Sequence, residues 1–412
     1  MVDKTGSRSP LDQELKVKHG LPHEVVYCKK CVMSNQRPST HPEFTKKVTS
    51  DTPVSHFGKD GICDACKYTE FKKTINWEER EKELQDLCNR FRRNDGRYDV
   101  VVPGSGGKDS IFAAHLLKTK YKMNPLTVTW APHRYTDIGW YNMQAWQQLG
   151  FDNILFTPNP VIHSKLTKLA FLNLVNPFQP FIIGQKLLGT RLAIQYDVPF
   201  VMYGENHAEI HNKIEETETP LMDSKHYLID NVNAPMYFGG VELNDLKKYG
   251  INPSDMKAYI PNLPEDAERV GLELHFLSHY TSWSPQQIYY YVKDVSNFQS
   301  NPLGRSEGTF GKYSSLDDKL DGQHYFTMLI KFGQGRAMND ACRDIRDGYI
   351  TRDEGVQLVR KFDEEFPKNH FQFFLDYIGI DNEKYWEVIN NARSPHLWEK
   401  NDGEWKLRYP CK

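Results

Sequence analysis

The segment YDVVVPGSGGKDSIFAAHLLK, residues 98–118, limits what this chain can fold into more than any other stretch. An apolar run of strand character, Tyr98 to Pro103, breaks into glycine and serine and restarts at once with a helical pattern. Small residues at such a junction let backbone N–H groups and the hydroxyls of Ser105 and Ser110 close around oxyanions at a helix N-terminus. Gly104-Ser105-Gly106-Gly107-Lys108-Asp109-Ser110 therefore reads as a phosphate cradle, against the plainer alternative of a Gly/Ser turn before a helix. It is not a Walker A loop, because Asp109 stands where that motif needs Ser or Thr after its Gly-Lys, and it is not GxGxxG either.

The segments that follow predict the rest of the layer. Strand candidates at Pro125 to Trp130, Asn153 to Phe156 and Pro199 to Tyr203 alternate with helix candidates at Trp140 to Leu149 and around Gln185 to Tyr196. Alternation of this kind predicts an α/β fold, an open parallel sheet with helices on both faces. Glu205 and Asn206, with Glu209 nearby, end the strand VPFVMYGEN, so they fall at the carboxyl edge where such sheets bind ligands. They are candidates for a polar substrate or Mg²⁺ contact, or else part of a solvated loop.

Two cysteine pairs frame a small module. Cys28-Lys-Lys-Cys31 and Cys63-Asp-Ala-Cys66 lie 31 residues apart, and Gly61 precedes the second pair as in a zinc-ribbon knuckle. Four thiolates from two CxxC turns make a closed tetrahedral Zn²⁺ site of structural type, with a redox pair or free thiols as the alternatives. Seven cysteines in 412 residues are no disulfide framework. The boundaries expected are a tail at 1–24, the four-cysteine zinc-binding module at 25–75, the α/β core at 76–204, a substrate-side insertion at 205–301, and a C-terminal helical region at 302–412 that completes the active site.

Within that last region, residues 307–319 concentrate charge, hydroxyls and glycine before a helix. Asp317 and Asp318 either hold Mg²⁺ or start the helix, where the dipole favours carboxylates. Thr351 with Glu354 fits a capping box. Lys plus Arg (52) nearly cancels Asp plus Glu (54), which speaks against general nucleic-acid affinity. No run of 18 apolar residues and no signal-like N-terminus is present, so a cytoplasmic protein without a membrane span is expected.

The SGGKDS pattern resembles the PP-loop of the N-type ATP pyrophosphatases, adenine nucleotide alpha hydrolase-like enzymes that cleave ATP between the α and β phosphates. The resemblance implies that Gly104, Ser105, Gly106, Gly107 and Ser110 hold the pyrophosphate, that Lys108 neutralises its charge, and that Asp109 places Mg²⁺ or orients the loop. By position it sets the adenine against the end of the second strand at Thr129, with Trp130 beside it or simply in the core. It also implies a lysine returning from a late loop; Lys312 is the candidate, with Lys331 and Arg336 as alternates.

In order along the chain, YCKKCVMSNQRP, GICDAC, INWEERE, YDVVVPGSGGKDS, YGEN, YFGG, EGTFGKYSSLDDKLDGQHY, IKFGQGRAMNDACRDIRDG and ITRDEGVQLV are similar to the N-acetyl sugar amidotransferase family, WbpG- and PseA-like. That resemblance implies ATP-dependent conversion of an acetamido group on a bacterial surface sugar into an acetamidino group. The sugar belongs to lipopolysaccharide O antigen or to a nonulosonic acid. Val2 excludes an N-terminal cysteine nucleophile and no other glutaminase signature appears. A separate ammonia-supplying partner is therefore expected, similar to the glutaminase and cyclase subunits of histidine biosynthesis. The competing readings are a tRNA-thiolating enzyme of the same superfamily and a non-catalytic assembly subunit.

Overall fold

A computed structural model describes residues 15–206, 212–231 and 233–412. Glu209 and the first fourteen residues of the expected tail lie outside the described residues. The five central strands are β1 (Val100–Pro103), β2 (Pro125–Trp130), β3 (Asp152–Phe156), β4 (Phe200–Tyr203) and β7 (Glu273–Phe276). They form one sheet in the order β3-β2-β1-β4-β7, and every neighbouring pair is parallel. β5 (Tyr237–Phe238) and β6 (Val241–Glu242) make a short separate hairpin.

Strand periodicity builds the two faces. Val101 points into a core shared with Leu126, Val128, Leu166, Leu187 and Val201. Its neighbours Val100 and Val102 point into a second core with Leu84, Ile111, Trp146 and Val292. Helices α5 (Pro160–Leu174) and α6 (Gln179–Gln195) supply the first face. Helices α2 (Trp77–Phe91), α3 (Lys108–Thr119), α4 (Asp137–Gln147) and α8 (Pro285–Val295) supply the other. The sheet is covered on both sides, as expected.

Around this layer stand α1 (Asp64–Lys72), α7 (Pro264–Val270) and the C-terminal helices α9 (Asp321–Phe332), α10 (Arg336–Arg346), α11 (Arg352–Phe362), α12 (Phe371–Ile378) and α13 (Asn382–Ala392). The chain closes with the antiparallel hairpin β8 (Trp398–Asn401) and β9 (Glu404–Leu407). α11 begins with the expected capping box: the Thr351 N–H donates to Glu354 Oε2 at 2.7 Å and the Glu354 N–H to Thr351 Oγ1 at 3.2 Å. Among the described residues no helix is long and apolar enough to cross a membrane.

Three boundaries differ from expectation. Residues 15–24 do not trail from the fold: the Lys18 N–H donates to Ser394 Oγ at 2.9 Å and Leu21 is buried in the C-terminal core. Residues 205–301 are not wholly an insertion, because Glu273–Phe276 extends the main sheet beside β4 and Ile288 and Val292 of α8 enter its second core. The cysteine module does not stand apart either. Its four thiols share one core with Met338, Ala341, Cys342, Val356 and Val359 from α10 and α11. A segment too small to bury its own core has borrowed one.

Candidate active site

The Gly104–Ser110 loop leaves the carboxyl end of β1, the strand on either side of which the connections diverge, with β2 on one side and β4 on the other. That is the switch point where open α/β sheets bind ligands. The loop is held on its floor by the Gly104 N–H, which donates to the Val128 carbonyl at 2.9 Å. Gly107 precedes α3 in an extended conformation, so the first N–H groups of the helix remain free of side-chain caps. Gly106 sits at φ +81°, and a Cβ there would come within 2.9 Å of the Asn142 carbonyl oxygen and 3.0 Å of Met143 Cα. Gly106→Ala is therefore expected to cost about 1–3 kcal/mol through left-handed strain and overpacking. It should also displace the loop, read as a lower denaturation midpoint together with weakened ATP binding; a variant that melts and binds ATP as the wild type does would contradict this account of the loop.

A late loop, residues 314–318, closes over this cradle. The Thr136 N–H donates to the Asp317 carbonyl at 3.1 Å, and the Thr136 hydroxyl to the Leu316 carbonyl. At Gly139 a Cβ would lie 2.5 Å from Asp317 Cα, so only glycine lets α4 approach this closely. The result is a cavity of about 370 Å³ lined from both sides: Ser105, Gly106, Gly107, Lys108 and Asp109 from the cradle, and Asp317, Asp321, Arg336, Asp340, Arg343 and Asp344 from the C-terminal region.

Charge in the cavity is arranged and not balanced. Lys108 Nζ binds both carboxylate oxygens of Asp109, at 2.8 and 2.7 Å, and lies 5.4 Å from the centre of the Tyr313 ring. Arg336 pairs with Asp340 at 3.1 Å, and Arg343 with Glu205 at 2.6 Å. Six aspartates stand among the lining residues, Asp109, Asp317, Asp318, Asp321, Asp340 and Asp344, against Lys108, Arg336 and Arg343. Burial, and then the charge of Asp318, raises the Asp317 carboxyl above its ordinary range, while the Ser105 hydroxyl opposes that shift. Burial likewise pushes Asp321 up to about 7, with Arg336 opposing and Asp317 adding to it. Asp344 is pushed to about 7 by burial and by Asp340. Crowded carboxylates of raised pKa facing a phosphate cradle are the donor set a hard divalent cation such as Mg²⁺ takes.

A stability prediction follows with a definite sign. Asp321 holds its proton in the folded chain to about pH 7 but loses it near pH 4 when unfolded, so metal-free stability falls as pH rises between those values and levels off above. Asp321→Asn should raise the metal-free melting temperature at pH 8, with the gain shrinking towards pH 5. A variant destabilised at pH 8 would contradict this.

The structure brings together Ser105, Lys108, Asp109, Asp317 and Arg336. It moves others elsewhere. Lys312 does not reach the cradle; it is exposed, with Nζ over the Tyr289 and Tyr290 rings at 4.9 and 5.8 Å. Lys331 turns away to donate to the Leu174 carbonyl at 2.7 Å. Asp318 stays in the cavity lining, but its carboxylate is already engaged, accepting from the His133 N–H, His133 Nδ1 and the Leu320 N–H at 2.8, 2.7 and 2.9 Å. Thr129 is fully buried in β2 beside Asn153, and Trp130 packs in the core against Phe156 and Tyr259. Asn206 bonds Ser278 and Tyr68, while Glu205 bears on the cavity through its ion pair with Arg343. Asp321, Asp340, Arg343 and Asp344 are not among the residues expected from the sequence. The last three stand at i+4, i+7 and i+8 from Arg336, which is one helix face and a readable signal.

On the other side of α10, Cys28, Cys31, Cys63 and Cys66 are all buried with their sulfurs within 4.8 Å of one another. The Cys28–Cys66 and Cys31–Cys63 sulfurs are 3.9 and 3.7 Å apart. Tetrahedral Zn–S bonds of about 2.3 Å place sulfurs about 3.8 Å from each other, so the four fit a closed Zn²⁺ site. The Met33 and Cys63 N–H groups point at Cys31 and Cys28 sulfurs, at 3.5 and 3.4 Å, which suits thiolates.

Comparison with known proteins bears on the two halves unequally. A solved structure, NMN synthetase from Francisella tularensis, aligns over 76% of this chain and 96% of its own at 12% identity, with a TM-score of 0.32. At that score the likeness carries no argument, and the fold class stands on the sheet described above. The uncharacterized protein MJ1599 of Methanocaldococcus jannaschii is 38% identical over 88 residues, 21% of this chain. The match spans 29% of that relative's length. Residues 307–410 match the domain described as "LPS biosynthesis protein WbpG-like, C-terminal domain". That region carries Asp317, Asp321 and the charged face of α10, so the part of this chain that closes the cavity over the Gly104–Ser110 loop is similar to the WbpG-like C-terminal domain.

Proposed function

We propose that this chain is an ATP-dependent amidotransferase of surface-polysaccharide biosynthesis, which converts an acetamido group of a sugar into an acetamidino group. The observation that carries this reading is the single cavity in which the Ser105–Asp109 cradle meets the carboxylates and arginines of the WbpG-like region.

An amide carbonyl is a poor electrophile, so its oxygen must first be made a leaving group. Attack of the acetamido oxygen on the α-phosphate of ATP breaks the α–β bond, releases pyrophosphate and a proton, and leaves an O-adenylyl imidate. Ammonia then adds to the imidate carbon, AMP departs with the oxygen, and the amidine remains. The cradle N–H groups and Ser105 bind the β and γ phosphates, and Lys108 lies where the departing pyrophosphate gains charge. Mg²⁺, when bound, supplies charge neutralisation on the phosphates; Asp109, Asp317 and Asp321 would hold it. Arg336 and Arg343, fixed by Asp340 and Glu205, orient the acceptor at the far wall. No side chain need be a covalent nucleophile. Ammonia is scarce at neutral pH, and a separate glutaminase partner supplies it in this reading.

Mass spectrometry of acetamido sugars incubated with the protein, MgATP and ammonium salt tests the proposal. The expected product is lighter by about one mass unit, oxygen replaced by NH, and forms in step with AMP. AMP formation that requires tRNA and a sulfur donor instead would reject the amidine.

A further inference from the structure

A second cavity of about 350 Å³ lies behind the first, and Ile182, His324, Tyr325, Arg336 and Arg343 form a wall common to both. It is bounded by the cysteine module, by the α5–α6 connection and by α9 and α10. Its chemistry is the reverse of the first. Arg37, Lys46, Lys186, Lys331, Arg336 and Arg343 line it, and Glu43 is the single carboxylate among its described lining residues.

The cations differ in how well they are satisfied. Arg336 and Arg343 have carboxylate partners, Arg37 donates to the Asn339 side-chain carbonyl, and Lys331 donates to a backbone carbonyl. Lys46 is only 7% exposed and Lys186 is partly buried, yet no hydrogen bond or ion pair to either ammonium exists among the described residues. Glu43 lies 3.7 Å from His41 Nδ1 and not within ion-pair reach of either lysine. Its Oε2, with His41 Nε2 and His324 Nδ1, is buried without a partner. Burial pushes Lys331 down to about 7, with Lys46 adding to the shift and Glu43 opposing it, and pushes Lys186 down to about 8, with the more distant carboxylates of Glu43 and Glu216 opposing it. Unpaired buried ammonium groups are unfavourable unless an anion joins them.

We propose that this second cavity is a binding site for a phosphate-class dianion, held by Lys46 and Lys186. The position fits a phosphorylated small molecule whose remaining part reaches over the Arg336–Tyr325 wall towards the nucleotide cavity. The site stands on its own lining and does not depend on the amidotransferase reading.

The test is calorimetric titration of the full-length, zinc-loaded protein with inorganic phosphate, after the first cavity has been saturated with an MgATP analogue carrying an α,β-methylene bridge. Saturable phosphate binding is expected in the presence of the analogue, weakened at least tenfold in Lys46→Met and Lys186→Met. N-acetylglucosamine 1-phosphate in place of phosphate identifies the source: tighter binding marks a sugar phosphate, equal binding a free ion. Phosphate that binds only when the analogue is absent, or equally well to both lysine variants, would overturn the site, as would no saturable binding. The analogue's own binding isotherm reports separately on the ATP reading.

Discussion

Lys108→Ala is expected to lower the rate of AMP release by about 10²–10³-fold while the protein stays folded. Lys108 is the only cation that the cradle itself brings to the cavity, and its side chain is 9% exposed. Two oxygens of Asp109 and the Tyr313 ring fix the position of its ammonium before any nucleotide arrives. A charge positioned in advance acts on the transition state with little reorganisation, so its removal falls on the chemical step more than on binding. Stability should barely move, because Asp109 is half-exposed and such a pair contributes about 1 kcal/mol or less. Single-turnover AMP release alongside thermal melts measures both. A variant that releases AMP within threefold of wild type would remove Lys108 from the mechanism.

Removal of the metal implied by the four cysteines should have the largest effect on the fold. The thiols are buried, unbridged by disulfides, and crowded at the spacing of a tetrahedral thiolate site. Structural zinc contributes about 10–16 kcal/mol of apparent binding energy in isolated fingers, and an ion held by these four thiols would also anchor the core shared with α10 and α11. Cys342 packs in that core, and the next residue, Arg343, lines the cavity over the Gly104–Ser110 loop and holds Glu205. Loss of the metal is therefore expected to disturb the cavity as well as the core. Chelation, or Cys31→Ala, should lower the melting temperature by at least ~10 °C and abolish MgATP binding, with zinc restoring both in the chelated wild type. Purified protein containing no zinc, or stripped protein that binds MgATP unchanged, would contradict this.

The contrast between these features and the misplaced ones shows what a single sequence can reveal. The cradle was legible because its chemistry is local: Gly106 needs a left-handed backbone and Lys108 sits at the helix start, both within seven residues. The cysteine pairs were legible because two turns of fixed spacing can meet at one ion. Thr129 was misplaced because β2 is buried on both faces, so alternate positions do not differ in polarity and nothing in the pattern separates core from edge. Lys312 was misplaced because its destination depends on Tyr289 and Tyr290, which α8 brings in from more than twenty residues away. β7 escaped notice as a four-residue edge strand between irregular turns, and α5 lacked a strong amphipathic signal because it is buried on several sides. The second wall of the cavity, α10, was written as an i, i+4, i+7, i+8 face, but which face would meet the cradle is a tertiary fact.

In the function proposed above, the cradle cleaves ATP between its α and β phosphates in service of an acetamido acceptor. Phosphorus NMR of the protein with MgATP, ammonium and a panel of acetamido sugars, free and phosphate-linked, tests it most directly. The account predicts AMP and pyrophosphate in equal amounts, dependent on the sugar and lost in Lys108→Ala. ADP and inorganic phosphate as products, or AMP release indifferent to every sugar, would contradict it.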